Sequence, residues 1–294
     1  MNIPGGRYRP ENLPSGIEWM HDDDAGKAWL EGLQARVDHC TGRWRLKLGP
    51  PFEYSYVSVV FPASTEDGAQ VVLKLQFPHR ESEHEAEALS HWDGRGAVRL
   101  LEHDPVRNAL LLERCLPGLP LSSIRQPEAI DALAELLPRL WKPAGEPFGS
   151  LESEAHHWEQ GLLDQGSAGG PVPEDLMQAT LEALNILAGS QGEQVLLHQD
   201  LHGGNVLSAE REPWLVIDPK PLTGEREFGL APIVRSSELG DKPQDVIYRL
   251  DTLTDRLGLD RERARLWAIA QTVAWSSGDH GKEHIATARL LLEA

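Results

Sequence analysis

Residues 198–207 read HQDLHGGNVL and place two histidines, an aspartate and an asparagine close together. Asn205 follows Asp200 by five residues, and the apolar run WLVID then ends in a second acid, Asp218. Phosphoryl transfer to a hydroxyl uses these side chains at this spacing. A carboxylate accepts the hydroxyl proton, while a carboxamide and a second carboxylate hold a divalent cation against phosphate oxygens. Asp200 is therefore the candidate base, and Asn205 and Asp218 are candidate magnesium ligands. The segment between them, NVLSAEREPW, has the length of a β-hairpin, which would bring its two ends together around one ion. Gly203 and Gly204 are expected to let the backbone turn sharply between acid and amide. A different chemistry uses the same stretch. His198, Asp200 and His202 write H-x-D-x-H, a two-histidine-one-carboxylate set suited to a metal-dependent hydrolase or oxygenase with iron or zinc. That reading leaves Asn205 and Asp218 unexplained.

A phosphoryl donor such as ATP also requires a cation for its α- and β-phosphates. Lys74 interrupts the apolar run VVLKLQF. It is either an exposed lysine on an edge strand or a phosphate-binding lysine held by a helix carboxylate. Glu85 lies 11 residues on and shares a helix face with Leu89 and Trp92, so Lys74–Glu85 is the expected pair; Glu83 and Glu87 should be solvated. His198 reads better as a packed histidine bonding the metal loop than as a base. Lys220, two residues past Asp218, either steadies the γ-phosphate or pairs with an acid. Glu225 and Glu227 either dock a substrate cation or face solvent. Of the nine tryptophans, Trp29, Trp92 and Trp267 fall on helical faces and belong to cores. Trp158 and Trp275 are candidates for an acceptor pocket, but nothing in the sequence selects them.

The elements that must position these groups fall into two parts. Trp29, Leu33, Val37 and Cys40 share one face of a helix over 25–40, capped by Asp24. WRLKLG (44–49), YSYVSVVF (54–61) and AQVVLKLQF (69–77), separated by turn-forming GPP and TEDG, give three antiparallel strands. A helix over 81–92 follows, then strands at 97–104 and 109–115. Beyond LPGLPL the pattern is helical at 127–141, 151–164, 174–189, 242–257, 260–275 and 282–292. Short strands are expected in VLLHQD, NVLSAE and PWLVID, between 195 and 218.

As a set, LKL, EHEAEALSHWDGRGAVRLLEHD, LLLERCLPG, HQDLHGGNVL and WLVIDPKPLTGEREFGLAP resemble the aminoglycoside phosphotransferases. The streptomycin 6-phosphotransferase and hydroxyurea-resistance kinase branch fits best, over roughly residues 25–240. The resemblance implies an α+β, protein-kinase-like, two-lobed fold with ATP and Mg2+ in the cleft. Residues 1–24 read as an irregular arm; the two-lobed fold then comprises a nucleotide-binding lobe over 25–115, built on a five-stranded antiparallel sheet and one key helix, and a larger, mostly helical lobe over 117–294. The resemblance places the hinge near 112–116, with backbone groups of Glu113 and Cys115 meeting the adenine. It implies that Asp200 is the base, that Asn205 and Asp218 hold magnesium and that Lys74 contacts phosphate. The sequence departs from the family pattern twice. Gln199 stands where relatives often have glycine. FEYSYV (52–57) replaces a glycine-rich phosphate loop, leaving Ser55 or nearby amides to touch the β-phosphate. The implied acceptor is a small cationic alcohol: an aminoglycoside, aminocyclitol or amino sugar. A non-catalytic, pseudokinase-like binding module is the other possible use of the fold, although a silent kinase usually loses one of Lys74, Asp200, Asn205 and Asp218, and all four are present.

Composition sets the outer bounds. The chain has 294 residues, 40% hydrophobic and 25% charged, with a formal charge of −18. That charge disfavours nucleic acid as a partner and suits a cationic small molecule, though it also serves plain solubility. No apolar run reaches membrane-spanning length, and the N-terminus lacks the apolar segment of a secretory signal. Two cysteines, Cys40 and Cys115, are expected as reduced thiols, which points to the cytoplasm. Monomer and homodimer are both compatible with the sequence.

Overall fold

The computed structural model describes residues 13–80, 82–167, 170, 172–277 and 281–294. The chain divides into two compact units: Met1–Gly94 with Val98–Cys115, and Arg95–Ala97 with Leu116–Ala294.

In the first unit, the expected helix over 25–40 is two helices, α1 (Asp24–Glu31) and α2 (Leu33–Trp44), parted at Gly32. Asp23, rather than Asp24, caps the start, its carboxylate accepting from the Gly26 amide at 2.7 Å. Where the helices part, the Arg36 guanidinium donates to the Trp29 carbonyl at 3.1 Å. Because α2 runs to Trp44, the first expected strand shrinks to β1 (Lys47–Leu48). The second shifts toward the C-terminus as β2 (Ser58–Ser64), whereas β3 (Gln70–Gln76) lies where its alternation put it. The shift has a local cause. Backbone groups of 53–56 are engaged by the preceding segment: Ser15 N–H donates to Glu53 O, Ser55 N–H to Ser15 O and the Trp19 indole to Tyr56 O. Helix α3 (Glu85–Trp92) is followed by β4 (Leu100–Asp104) and β5 (Ala109–Glu113), and the antiparallel sheet runs β1-β2-β3-β5-β4.

Strand alternation assigns the two faces of this sheet. Val59, Phe61, Leu73, Leu75 and Ala109 bury against Trp29, Leu33, Val37 and Cys40, with Ile17 and Met20 of the preceding segment in the same core. Each Val, Leu, Ile, Met or Phe among them contributes about 1.5–3 kcal/mol on full burial. Lys74 and Gln76 occupy the alternate positions and so avoid that core.

The second unit begins with β6 (Pro117–Pro120) and α4 (Gln126–Leu140), then β7 (Gly149–Ser150), α5 (Leu151–Ser167) and α6 (Glu174–Ala188). Next come β8 (Val195–His198), β9 (Val206–Ala209), β10 (Trp214–Val216), β11 (Pro221–Gly224) and α7 (Ala231–Arg235). Helices α8 (Pro243–Leu257), α9 (Arg261–Ala274) and α10 (Gly281–Glu293) complete it. Two small sheets hold the functional loops: β10-β9-β6, and β7-β11-β8. The expected hairpin is β9–β10, with Val206 opposite Val216 and the Ile217 amide donating to Asn205 O at 3.0 Å. Ala97, expected to open a strand with Leu100, instead forms a bridge with Val216, and Arg211 donates to its carbonyl at 2.9 Å.

Candidate active site

The site in the second unit is built outward from the end of β8. His198 is buried with both ring nitrogens committed. Nε2 donates to the Ile217 carbonyl at 2.9 Å, and Nδ1 accepts from the Asp200 amide at 3.2 Å. Burial lowers its pKa to about 4, so the ring is neutral at physiological pH. A ring used at both nitrogens ties β8 to the loop after β10 and has no lone pair to offer a metal.

Two residues later, Asp200 presents its carboxylate to two cations. Arg235 Nη2 lies 3.0 Å from Oδ1 and Lys220 Nζ 3.1 Å from Oδ2. Burial acts to raise the pKa of this group, but Lys220 and then Arg235 outweigh it and hold it at about 2. Both cations lie over the indole of Trp275, with Arg235 Cζ 4.3 Å and Lys220 Nζ 4.8 Å from a ring centroid. Of the two roles the sequence allowed Lys220, pairing with an acid is the one seen here, and the acid is the candidate base itself.

The loop then turns through residues 203–205. Asn205 Nδ2 donates to the Asp200 carbonyl at 2.9 Å, which leaves its Oδ1 for a cation. Asp218 follows β10, one residue past Ile217, and is exposed. It stands at φ +54°, a left-handed conformation uncommon for non-glycine residues, in which Asp is enriched. Two hard oxygen donors on adjoining ends of one hairpin suit magnesium. Gly203 and Gly204 are not needed for positive φ, contrary to the sequence expectation. A Cβ on Gly203 would lie 2.9 Å from Ser122 Cβ and 3.1 Å from the Ser122 amide nitrogen; one on Gly204 would lie 3.0 Å from the His202 ring. Close approach explains both.

Glu238 braces the same loop, accepting from the Gly204 amide at 2.7 Å and lying 3.0 Å from His202 Nδ1. For His202, burial acts to lower the pKa, and the Glu238 bond together with the charges of Asp200 and Glu238 outweighs it, so the pKa is raised. With His198 saturated and His202 paired to Glu238, the H-x-D-x-H metal set does not form. Among the described residues no group of three or more His, Cys, Asp or Glu could hold a metal ion.

Gln199, the departure from the family pattern, turns inward. It is buried, donates to Glu154 at 3.2 Å and receives the Gln271 amide on its carbonyl at 2.7 Å. Glu225 neither docks a cation at the surface nor faces solvent. It is buried, accepting from Trp267 at 2.5 Å and from Arg263 at 2.7 Å. Glu227 is partly exposed and accepts from the Asp260 amide at 3.4 Å. Trp158 is buried beside Phe228.

In the first unit, Lys74 Nζ lies 2.6 Å from Glu85 Oε2, and both are buried. Gln76 donates to the same oxygen at 2.6 Å. Glu83 and Glu87 are exposed. Ser55 Oγ lies 2.7 Å from Ser58 Oγ, which links the loop before β2 to the strand itself. Glu113 ends β5 and its carboxylate accepts from the Arg99 amide at 3.0 Å; Cys115 is buried. The sequence reading missed Arg235, Glu238 and Gln76. Gln76 was available as the next residue on the face of Lys74, two positions along a strand. Arg235 and Glu238 carry no spacing signal, because a short helix and the turn after it bring them to the loop.

The family model for aminoglycoside/hydroxyurea antibiotic resistance kinases matches residues 43–280. The chain belongs to this family. Hydroxyurea phosphotransferase of Kitasatospora aureofaciens is 39% identical over 268 residues, 87% of this chain and 76% of that protein. Streptomycin 6-kinase of Streptomyces griseus is 38% identical over 288 residues, 91% of this chain and 92% of that protein. Among solved structures, a choline kinase from Streptococcus pneumoniae matches with a TM-score of 0.64 at 15% identity, covering 89% of this chain and 99% of that one; this likeness is one of fold. As an aminoglycoside/hydroxyurea antibiotic resistance kinase, the chain is a small-molecule phosphotransferase. The hydrolase or oxygenase and the silent binding module find no support in the family or its relatives.

Proposed function

We propose that the protein transfers the γ-phosphoryl group of MgATP to a hydroxyl of a small cationic acceptor, an aminoglycoside or related aminocyclitol or amino sugar. The observation that carries this reading is the union of base and metal amide: Asn205 is fastened through its Nδ2 to the carbonyl of Asp200, whose carboxylate is held ionised. In this reading Asp200 orients the acceptor hydroxyl and takes its proton. The bond from the γ-phosphorus to the ADP oxygen breaks as the bond to the acceptor oxygen forms, and the negative charge leaves on ADP. Magnesium, which Asn205 Oδ1 and the Asp218 carboxylate would hold, supplies charge neutralisation at the β- and γ-phosphates. Lys74 contacts the phosphates, kept extended by Glu85 and Gln76. Ser55 and the backbone of Glu113 and Cys115 remain the proposed contacts to phosphate and adenine. His198 and Lys220 support the loop rather than react.

The formal charge of −18 favours a cationic acceptor, and two relatives are named for action on hydroxyurea and streptomycin. The two buried thiols accord with a cytoplasmic setting. No helix among the described residues is long and apolar enough to cross a membrane.

The test is MgATP-dependent ADP formation with streptomycin, hydroxyurea and a panel of aminocyclitols and amino sugars, on wild type and Asp200→Asn. The variant should bind MgATP nearly as the wild type does and lose about two or more orders of magnitude in turnover. Wild-type turnover in Asp200→Asn would remove Asp200 from its role.

A further inference from the structure

The two cations on Asp200 come from different elements. Lys220 precedes β11 and Arg235 ends α7. Held against opposite oxygens of one carboxylate, they are like charges drawn close together. What they share besides Asp200 is the face of Trp275, at 4.3 Å from Arg235 Cζ and 4.8 Å from Lys220 Nζ. An indole face is the strongest of the aromatic cation acceptors. The backbone that carries the ring is itself anchored. Trp275 closes α9, its amide donating to Gln271 O at 2.9 Å, and its carbonyl accepts from His284 Nδ1 of α10 at 2.8 Å. A ring at the end of α9 therefore lies under both cations, and these hold the carboxylate.

We propose that Trp275 is a positioning residue for phosphoryl transfer: its indole face is the common base plate that seats Arg235 and Lys220 on the two oxygens of Asp200. The inference rests on the reading of Asp200 as the base. It assigns Trp275 a role through Asp200 and not as a wall of the acceptor pocket. A planar ring without the indole nitrogen should do most of the work, and an aliphatic side chain of similar bulk should not.

The experiment measures ADP formation at saturating MgATP with streptomycin, and also without drug, where water accepts the phosphoryl group. The variants are Trp275→Phe, Trp275→Leu, Asp200→Asn and the double variant Trp275→Leu/Asp200→Asn. Loss of both ring contacts in Trp275→Leu should lower kcat about tenfold or more, with KM for ATP and for streptomycin little changed. Trp275→Phe should recover most of that loss, and it keeps the test usable if the Leu variant does not fold. In the Asp200→Asn background, Trp275→Leu should cost nothing further. A wild-type kcat in Trp275→Leu, an equal fractional loss with and without Asp200, or a change confined to the KM of streptomycin would overturn the assignment. Failure of the underlying reading has its own mark, which is wild-type turnover in Asp200→Asn alone.

Discussion

Replacing Glu85 separates what the buried pair does for stability from what it does for nucleotide binding. Lys74 and Glu85 meet at 2.6 Å with side chains 7% and 1% exposed, and Gln76 shares the same carboxylate oxygen. Glu85→Leu leaves an ammonium and an amide facing an apolar side chain. Breaking a buried pair from one side costs about 3–5 kcal/mol, a large part of a typical stability of about 5–15 kcal/mol. Lys74→Met should cost somewhat less, because the stranded Glu85 can take up a proton. Removing both charges together is different. Lys74→Met/Glu85→Leu should return to within about 1 kcal/mol of wild type or exceed it, since paired hydrophobic replacements of buried ion pairs are often neutral or stabilising. The double-mutant cycle should therefore show a coupling of about 3 kcal/mol or more. Urea denaturation followed by circular dichroism measures the stabilities, and calorimetric titration measures MgATP affinity. Affinity should fall in all three variants and should not recover in the double variant. Two results would refute the reasoning: a Glu85→Leu cost below about 1 kcal/mol, or a double variant that is stable and still binds MgATP as the wild type does.

Other perturbations test the loop and its supports. His198 has its folded pKa lowered to about 4 from 6.5, so the unfolded chain binds the proton more tightly. Its contribution is present above about pH 6.5 and is lost as pH falls toward 4, amounting to about 3 kcal/mol at the limit. His198→Gln should flatten stability over this window, and an unchanged slope in urea melts at stepped pH would contradict the assignment. Arg249 is fully buried on α8 and donates to the carbonyls of Val234, Leu239 and Gly240 at 2.8–3.1 Å, with burial lowering its pKa to about 10. Arg249→Met should cost about 3 kcal/mol or more in melts, from carbonyls left without a donor. It should also lower kcat, because the moored segment carries Arg235 and Glu238.

What was legible in the sequence follows from the range of each signal. The base, the metal amide and the second acid lie within 19 positions, so a loop and a hairpin of ordinary length bring them together. Lys74 and Glu85 were readable because a charge in an alternating strand needs a partner and the following helix offers one carboxylate on its apolar face. Strand and helix types largely followed from their periodicities. The misplaced boundaries have tertiary causes. Trp44 continues a helix, and backbone bonds to Ser15 and Trp19 hold 53–56 out of the sheet. Strands β6, β7 and β11 (PGLP, GS and PLTG) read locally as turns and become strands only through their partners. Glu225 looked like a loop acid because nothing nearby in sequence announces Arg263 and Trp267 of α9. The clamp of Arg235 and Lys220 on Trp275 spans 55 positions and is set by packing, which no spacing encodes.

The central claim is that Lys74 and the Asn205–Asp218 pair are each required for MgATP binding. The most direct test is calorimetric titration of MgATP into wild type, Lys74→Ala, Asp218→Asn and the double variant. The account predicts one site in wild type, an affinity lowered about tenfold or more by either single change, and weaker binding still in the double variant. Wild-type affinity in either single variant would contradict it.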